Sequence, residues 1–236
     1  LLLYYGIPGR GRAWRRFYQR FVQPGDLVFD AGAHVGSRSR ALLACGARVV
    51  ALEPQPLFAN TIRRLLGRHP HLTLDTRALG AESGALRLQV SRRTPTVSTL
   101  SSEWAAEVAR TPGFDWVLWE TGPQVSVTTL EALIAEHGLP AFCKLDIEGY
   151  EAEALRGLSQ PIPALSFEYV PAAMPVALDC IARLEQLAAY EYNLVMDEYP
   201  RLAFESWLTP DALRETLISI SETDRAGEVF ARRKGS

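Results

Sequence analysis

The sequence predicts a doubly wound α/β fold with a mostly parallel sheet and helices on both faces, and three observations carry that expectation. Apolar runs end in acids at Leu27-Val28-Phe29-Asp30, at Val49-Val50-Ala51-Leu52-Glu53 and at Cys143-Lys144-Leu145-Asp146. The first run is followed by a turn bearing Gly32 and Gly36 and then by a helix-like stretch. Near-continuous apolar runs are the mark of strands buried on both faces. Sheets of this kind bind ligands in the crevice outside the carboxyl ends of their strands, where these acids stand.

In chain order, Gly11 to Val22 reads as an amphipathic helix, with Trp14, Phe17, Tyr18 and Phe21 at i, i+3, i+4 and i+7 and Arg12, Arg15, Arg16 and Arg20 mostly elsewhere. Docking on the core is the plain expectation for it; a membrane-surface helix is the alternative. Residues 1–25 form an N-terminal helical segment that is a candidate lid. The chain opens on Leu1-Leu2-Leu3-Tyr4-Tyr5, which suggests a trimmed start; the stretch is too short for a secretory signal, and the arginines follow it.

The turn Asp30-Ala31-Gly32-Ala33-His34-Val35-Gly36 departs from the dinucleotide pattern G-x-G-x-x-G, because His34 stands where the middle glycine would be. Asp30 would repel a diphosphate there, so the turn suits a cationic ligand. The next strand, Arg48 to Leu52, delivers Glu53 about 20 residues beyond the loop, where a carboxylate can accept both hydroxyls of a ribose. Pro54 ends that strand; a solvated acid at a strand end is the alternative for Glu53. Leu72 to Thr76 reads as a third strand and Ala85 to Val90 as an extra one.

Residues 91–124, rich in Ser, Thr, Trp and Pro, read as an insertion and a candidate acceptor-binding region. Trp104, Phe114, Trp116 and Trp119 either line a pocket or cover a sheet edge. Thr94, Thr96 and Ser98 alternate as in an edge strand, or offer hydroxyls to a polar ligand.

Phe142 to Glu151 is the densest block, since an apolar strand carries Lys144, Asp146 and Glu148 to its carboxyl end and Gly149 opens a helix. Alternation puts Lys144 and Asp146 on one face, and charges there are costly unless paired or used. A purely structural ion pair is one reading of the two. Ala164 to Val170 forms a further strand that places Glu168 at the same rim. A helix over 176–190 and strands at Tyr192 to Met196 and Glu228 to Ala231 complete the pattern, and the whole reads as one domain, 1–236.

Lys plus Arg number 25 against 27 Asp plus Glu, which gives no reason to expect a nucleic-acid partner. No apolar run reaches the roughly 20 residues that span a bilayer, so no stable membrane insertion is expected. Cys45, Cys143 and Cys180 read as buried thiols of a reducing, cytoplasmic compartment.

The chain resembles the FkbM family of S-adenosylmethionine-dependent methyltransferases. The resemblance rests on residues 30–36, Ala51-Leu52-Glu53-Pro54, Arg77-Ala78-Leu79-Gly80, Val127-Thr128-Thr129-Leu130 and Lys144 to Glu151. It implies a Rossmann-like class I methyltransferase fold with a seven-stranded sheet, bound S-adenosylmethionine and a small-molecule hydroxyl acceptor, such as a natural product or sugar. It implies that Asp30, Gly32, His34 and Gly36 surround the methionine portion, with Glu53 on the ribose. Pro54 and Gln55 would meet the adenine edge, and Ala78 and Leu79 its face. For catalysis, Asp146 is the candidate base or, with Glu148, a ligand of a divalent cation such as Mg2+. Glu168 is a further oxygen donor, and Lys144 would orient Asp146 or steady a developing oxyanion. His34 is the other base that residue chemistry offers. Two readings compete: an NAD(P)-binding oxidoreductase, which the missing glycine disfavours, and a cofactor-binding module without catalysis.

Overall fold

The computed structural model describes residues 9–91, 98–110, 117–196, 199–222 and 224–235. Five parallel strands form the centre and one edge of a seven-stranded sheet: β1 (Leu27–Ala31), β2 (Arg48–Leu52), β3 (Leu72–Asp75), β7 (Phe142–Leu145) and β8 (Ala164–Tyr169). β10 (Gly227–Arg233) inserts antiparallel between β8 and β9 (Tyr190–Val195), giving the order β3-β2-β1-β7-β8-β10-β9. The order reverses at β1, between β2 and β7, which opens a crevice at the carboxyl ends of these strands.

Alternation of side chains sorts the sheet into two cores. Phe29, Cys143 and Leu165 point to one face, against Leu130 of α5 (Leu130–His137), Leu155 of α6 (Glu151–Arg156), Ile181 of α7 (Met174–Leu187) and Leu213 of α8 (Pro210–Ile218). Val28, Val49, Phe142 and Phe230 point to the other. They meet α1 (Arg10–Tyr18), α2 (Ser37–Leu43) and α3 (Pro56–Leu66) through Trp14, Phe17, Tyr18, Leu42 and Ile62. The sheet is therefore wound on both faces, as the apolar runs predict.

α1 is docked. Phe17 meets Phe230 edge-on at 4.9 Å and Tyr18 meets Phe142 at 5.7 Å, and Trp14, Phe17 and Tyr18 are all buried. Each such ring contributes about 1.5–3 kcal/mol on burial, which outweighs what a nine-residue helix gains alone. The helix ends at Tyr18, earlier than the periodicity suggests, and turns carry the chain through Phe21, which stacks on Phe230 at 5.4 Å.

The middle of the chain is more regular than its composition suggests. β4 (Ala78–Leu79), β5 (Gly84–Ser91) and β6 (Trp119–Thr128) make a second sheet in the order β4-β6-β5. Gly122 and Pro123 inside β6 disguise it as loop; Gly122 fits because a side chain there would collide with Val90, its Cβ 2.7 Å from a Val90 methyl. α4 (Ser102–Val108) is capped by Ser101, whose hydroxyl accepts from the Trp104 amide at 3.0 Å, and α5 is capped by Thr129, which accepts from Ala132 at 3.0 Å. Leu1 to Tyr5, Thr94, Thr96, Phe114 and Trp116 lie outside the described residues.

Candidate functional site

A cavity of about 640 Å³ opens at the reversal of strand order. Ala31 to His34 form its middle. Glu53, Pro54, Gln55, Ala78 and Leu79 line one side, Lys144, Asp146, Glu148 and Glu168 the other, and Gly9 to Arg12 with Trp14 and Arg38 line the α1 side. A recess of this size suits a small ligand or cofactor.

On the first side the backbone does the positioning. The Glu53 carboxylate accepts the His34 amide at 2.8 Å through one oxygen and the Gln55 amide at 2.8 Å through the other. Burial pushes its pKa up to about 7, against the lowering effect of those two hydrogen bonds. Each carboxylate oxygen keeps a lone pair for a donor arriving from the cavity. His34 sits in the left-handed region at φ 51°, its ring edge-on to Phe58 at 4.0 Å, and burial lowers its pKa to about 4. A neutral imidazole of that pKa is a weak base.

Gly32 has a partner that the sequence does not announce. At φ 73° it lies under the β7 loop, and a Cβ there would stand 1.7 Å from the Asp146 carbonyl oxygen. Its freedom lets two loops touch, which brings the Asp146 backbone to the end of β1; the Asp146 amide donates to the Ala31 carbonyl at 3.1 Å.

On the far side charges crowd. Lys144, 2% exposed, donates to Asp146 at 2.6 Å, and the Asp146 side chain is 39% exposed. Burial opposes the Lys144 charge, but Asp146, Glu228 and Asp30 together raise its pKa. Burial likewise opposes the Asp146 charge, and Lys144 more than compensates, holding Asp146 below the usual carboxylate range. Oxygens of Asp146, Glu148 and Glu168 lie within 4.8 Å of one another. Burial first, then Asp146, raises Glu148 well above its ordinary value; burial, then Glu148 and Asp146, does the same to Glu168. Glu168 Oε2 is buried with no hydrogen-bond partner among the described residues. Glu148 itself sits at φ 54°, a conformation that costs a non-glycine residue about 1–3 kcal/mol and recurs at functional sites.

This loop is held from beneath. Glu151, 1% exposed, accepts the Ile147 amide at 2.8 Å, and Gly149 at φ 87° packs so closely on Trp104 that a Cβ would fall 2.1 Å from the indole. Trp104 and Trp119 meet at 6.3 Å and pack with Val108 and Ala173, so they buttress the site from outside the cavity. Among the described residues of the 91–124 region, Ser98 and Leu100 line it.

Two expected site residues stand behind the cavity wall. Asp30 is fully buried, opposite Lys144 across the β1–β7 ladder, and accepts the Ser39 hydroxyl at 2.5 Å. Gly36, at φ 79°, precedes α2. The remaining eleven, Gly32, His34, Glu53, Pro54, Gln55, Ala78, Leu79, Lys144, Asp146, Glu148 and Glu168, face the cavity. Sequence reading missed Arg38, whose place in an amphipathic helix looks solvated, and Glu151, which the K-x-D-x-E-G-x-E block contains without revealing its loop contact.

Comparison with known proteins follows the same division. Residues 30–170 match the methyltransferase FkbM domain. The chain is 32% identical over 163 residues to the 31-O-demethyl-FK506 methyltransferase FkbM of Streptomyces tacrolimicus, covering 58% of this chain and 61% of that protein. It is 29% identical over 177 residues to ribosomal RNA small subunit methyltransferase A of Phenylobacterium zucineum (strain HLK1), covering 71% and 57%. The chain thus spans about three fifths of the length of these relatives. A solved precorrin-6Y C5,15-methyltransferase from Geobacter metallireducens GS-15 shares 14% identity at a TM-score of 0.44, over 95% of this chain and 87% of that one. The matched span runs from Asp30 past Glu168 and so takes in both sides of the cavity: the chain belongs to the FkbM methyltransferase domain family.

Proposed function

We propose that the chain is an S-adenosylmethionine-dependent methyltransferase acting on a hydroxyl of a small molecule. The observation that carries this reading is the pairing, in one recess, of a backbone-held Glu53 with a cluster of three carboxylates and a single lysine. Glu53 suits the two ribose hydroxyls, Pro54 and Gln55 the adenine edge, and Ala78 and Leu79 its face. Gly32 and His34 flank the methionine portion, with Asp30 and Gly36 supporting that loop from behind. When bound, S-adenosylmethionine would supply a methyl group on a cationic sulfur, and the carboxyl oxygens of Asp146, Glu148 and Glu168 would favour that cation.

The chain's own residues then hold the acceptor and move one proton. With the cofactor bound, the acceptor oxygen would bond to the methyl carbon as the carbon–sulfur bond gave its electron pair to sulfur. The hydroxyl proton passes to the carboxylate cluster. Lys144 keeps Asp146 ionised and oriented to take that proton, and Glu168 is a further oxygen donor beside it. Oxygens of Asp146, Glu148 and Glu168 are also a hard donor set for Mg2+, which would lower the acceptor's pKa there. Three buried, unpaired thiols, Cys45, Cys143 and Cys180, support a reducing, cytoplasmic setting; no helix among the described residues is long and apolar enough to cross a membrane.

A second reading has its own observation. Arg12, Arg15, Arg16 and Arg20 are exposed along and just past α1, Arg12 lines the cavity, and one relative is named for ribosomal RNA. RNA would then be the acceptor. The recessed cavity and the formal net charge of −2 favour the small molecule.

Incubation with methyl-tritiated S-adenosylmethionine and a panel of sugar and natural-product alcohols, with small-subunit ribosomal RNA as a separate arm, tests this. Each arm is run with Mg2+ and with a chelator. Label in an alcohol, lost in Asp146→Asn, is the expected result. Label in RNA alone would overturn the acceptor class, and label unaffected by Asp146→Asn would overturn the base.

A further inference from the structure

The cations around the cavity are not alike. Lys144 is committed to Asp146, and Arg77 is clamped between Asp75 at 2.6 Å and Glu136 at 2.7 Å. Arg38 is different. It projects from α2 at the cavity wall, half-buried, with its guanidinium carbon 3.1 Å from the centroid of the Trp14 ring. Among the described residues it donates no hydrogen bond and enters no ion pair. The indole below is 3% exposed, so one face of the guanidinium is dry while its planar fork of five N–H donors has no protein acceptor. A partly desolvated charge with unused donors is costly unless an anion completes it.

Its position says which anion. Arg38 lines the cavity and acts electrostatically on Asp30, Asp146 and Tyr18, which puts it within reach of the Asp146 end. It also lies just beyond the Ala33 to Gly36 turn, on the α1 side. A molecule whose ribose sits on Glu53 and whose sulfonium sits beside Asp146 has one anionic group left, the α-carboxylate beyond the sulfur.

We propose that Arg38, braced on Trp14, is the fork that binds the α-carboxylate of the cofactor's methionine end. The inference rests on the methyltransferase reading, and it gives α1 a role: Trp14 holds the guanidinium flat, so the N-terminal helix is part of the cofactor site.

Calorimetric titration of the full chain with S-adenosylhomocysteine and with its decarboxylated analogue, S-adenosyl-3-thiopropylamine, tests this. Wild type should prefer the carboxylate-bearing ligand by about 10- to 100-fold, the range for a lost charge-assisted pair. Arg38→Gln should weaken S-adenosylhomocysteine by that factor while changing the analogue by less than about threefold, and Arg38→Lys should recover part of the preference. Thermal melts of both variants check folding, and Arg38→Lys carries the comparison should Arg38→Gln not fold. Equal weakening of both ligands would reduce Arg38 to a structural brace of α1. Unchanged binding of both would assign its anion elsewhere, such as to the acceptor. Failure of wild type to bind either ligand would instead sink the methyltransferase reading itself.

Discussion

The two sides of the cavity are built on opposite principles. At the end of β2 the Glu53 carboxylate is satisfied by two amides at 2.8 Å, so its geometry is complete before any ligand arrives. At the ends of β7 and β8 three carboxylates share one lysine, one buried oxygen has no partner among the described residues, and Glu148 holds a left-handed backbone. The first side is preset by its own backbone; the second is left electrostatically incomplete. A site that must bind one molecule tightly and also change its charge during reaction needs both.

Breaking the second side should have the largest effect. Asp146→Asn is expected to lower the methyl-transfer rate by about 10²–10⁴-fold, the span typical of a lost general base, while S-adenosylhomocysteine affinity changes by less than about tenfold. Single-turnover rates and calorimetry separate the two; equal losses in both would mean that the two sides are not functionally distinct.

Breaking the first side should do the reverse. Glu53→Ala removes the proposed ribose acceptor and strands two backbone amides, with an expected loss of about 10- to 100-fold in S-adenosylhomocysteine affinity and a smaller loss in the methyl-transfer rate at saturation. Unchanged affinity would remove Glu53 from the site.

The buttress beneath the second side offers a third perturbation. Gly149→Ala forces a Cβ to 2.1 Å from the Trp104 ring at φ 87°, and should destabilise the protein by about 2–4 kcal/mol in denaturant unfolding. It should impair transfer more than cofactor binding, because the Asp146 to Glu151 loop moves and the β2 end does not.

The smallest effect is a dependence on pH. Glu53 and Glu151 have ordinary values near 4.5 and folded values of about 7, raised chiefly by burial. Their contribution to stability is present in full below about pH 4.5 and is lost as pH rises through about 7. The ligand-free protein should therefore melt at a higher temperature at about pH 6 than at about pH 8, and the double variant Glu53→Gln, Glu151→Gln should flatten that slope. A wild-type melting temperature that rises over the same interval would contradict the burial of these acids.

Legibility in the sequence followed the same divide. β1, β2 and β7 were readable because buried parallel strands are uninterrupted apolar runs, and the acids that close them mark the crevice. Alternation alone put Lys144 and Asp146 on one face, with their ion pair as one reading of it. Of the second sheet only β5 was readable, as Ala85 to Val90: Ala78–Leu79 is too short to carry a period, and Gly122-Pro123 breaks the pattern inside β6. Tertiary contacts account for the rest. Nothing near Gly32 announces that the Asp146 carbonyl rests on it, and nothing near Trp104 announces Gly149, because these partners are distant in the chain. Asp30 reads as a ligand contact because it ends a strand, yet its side chain points behind the wall to Ser39.

Calorimetric binding of S-adenosylhomocysteine against NAD, each with and without Mg2+, tests the central claim most directly. Micromolar binding of S-adenosylhomocysteine alone, abolished or strongly weakened in Glu53→Ala, is the predicted result. NAD binding, or no binding of either, would contradict the account.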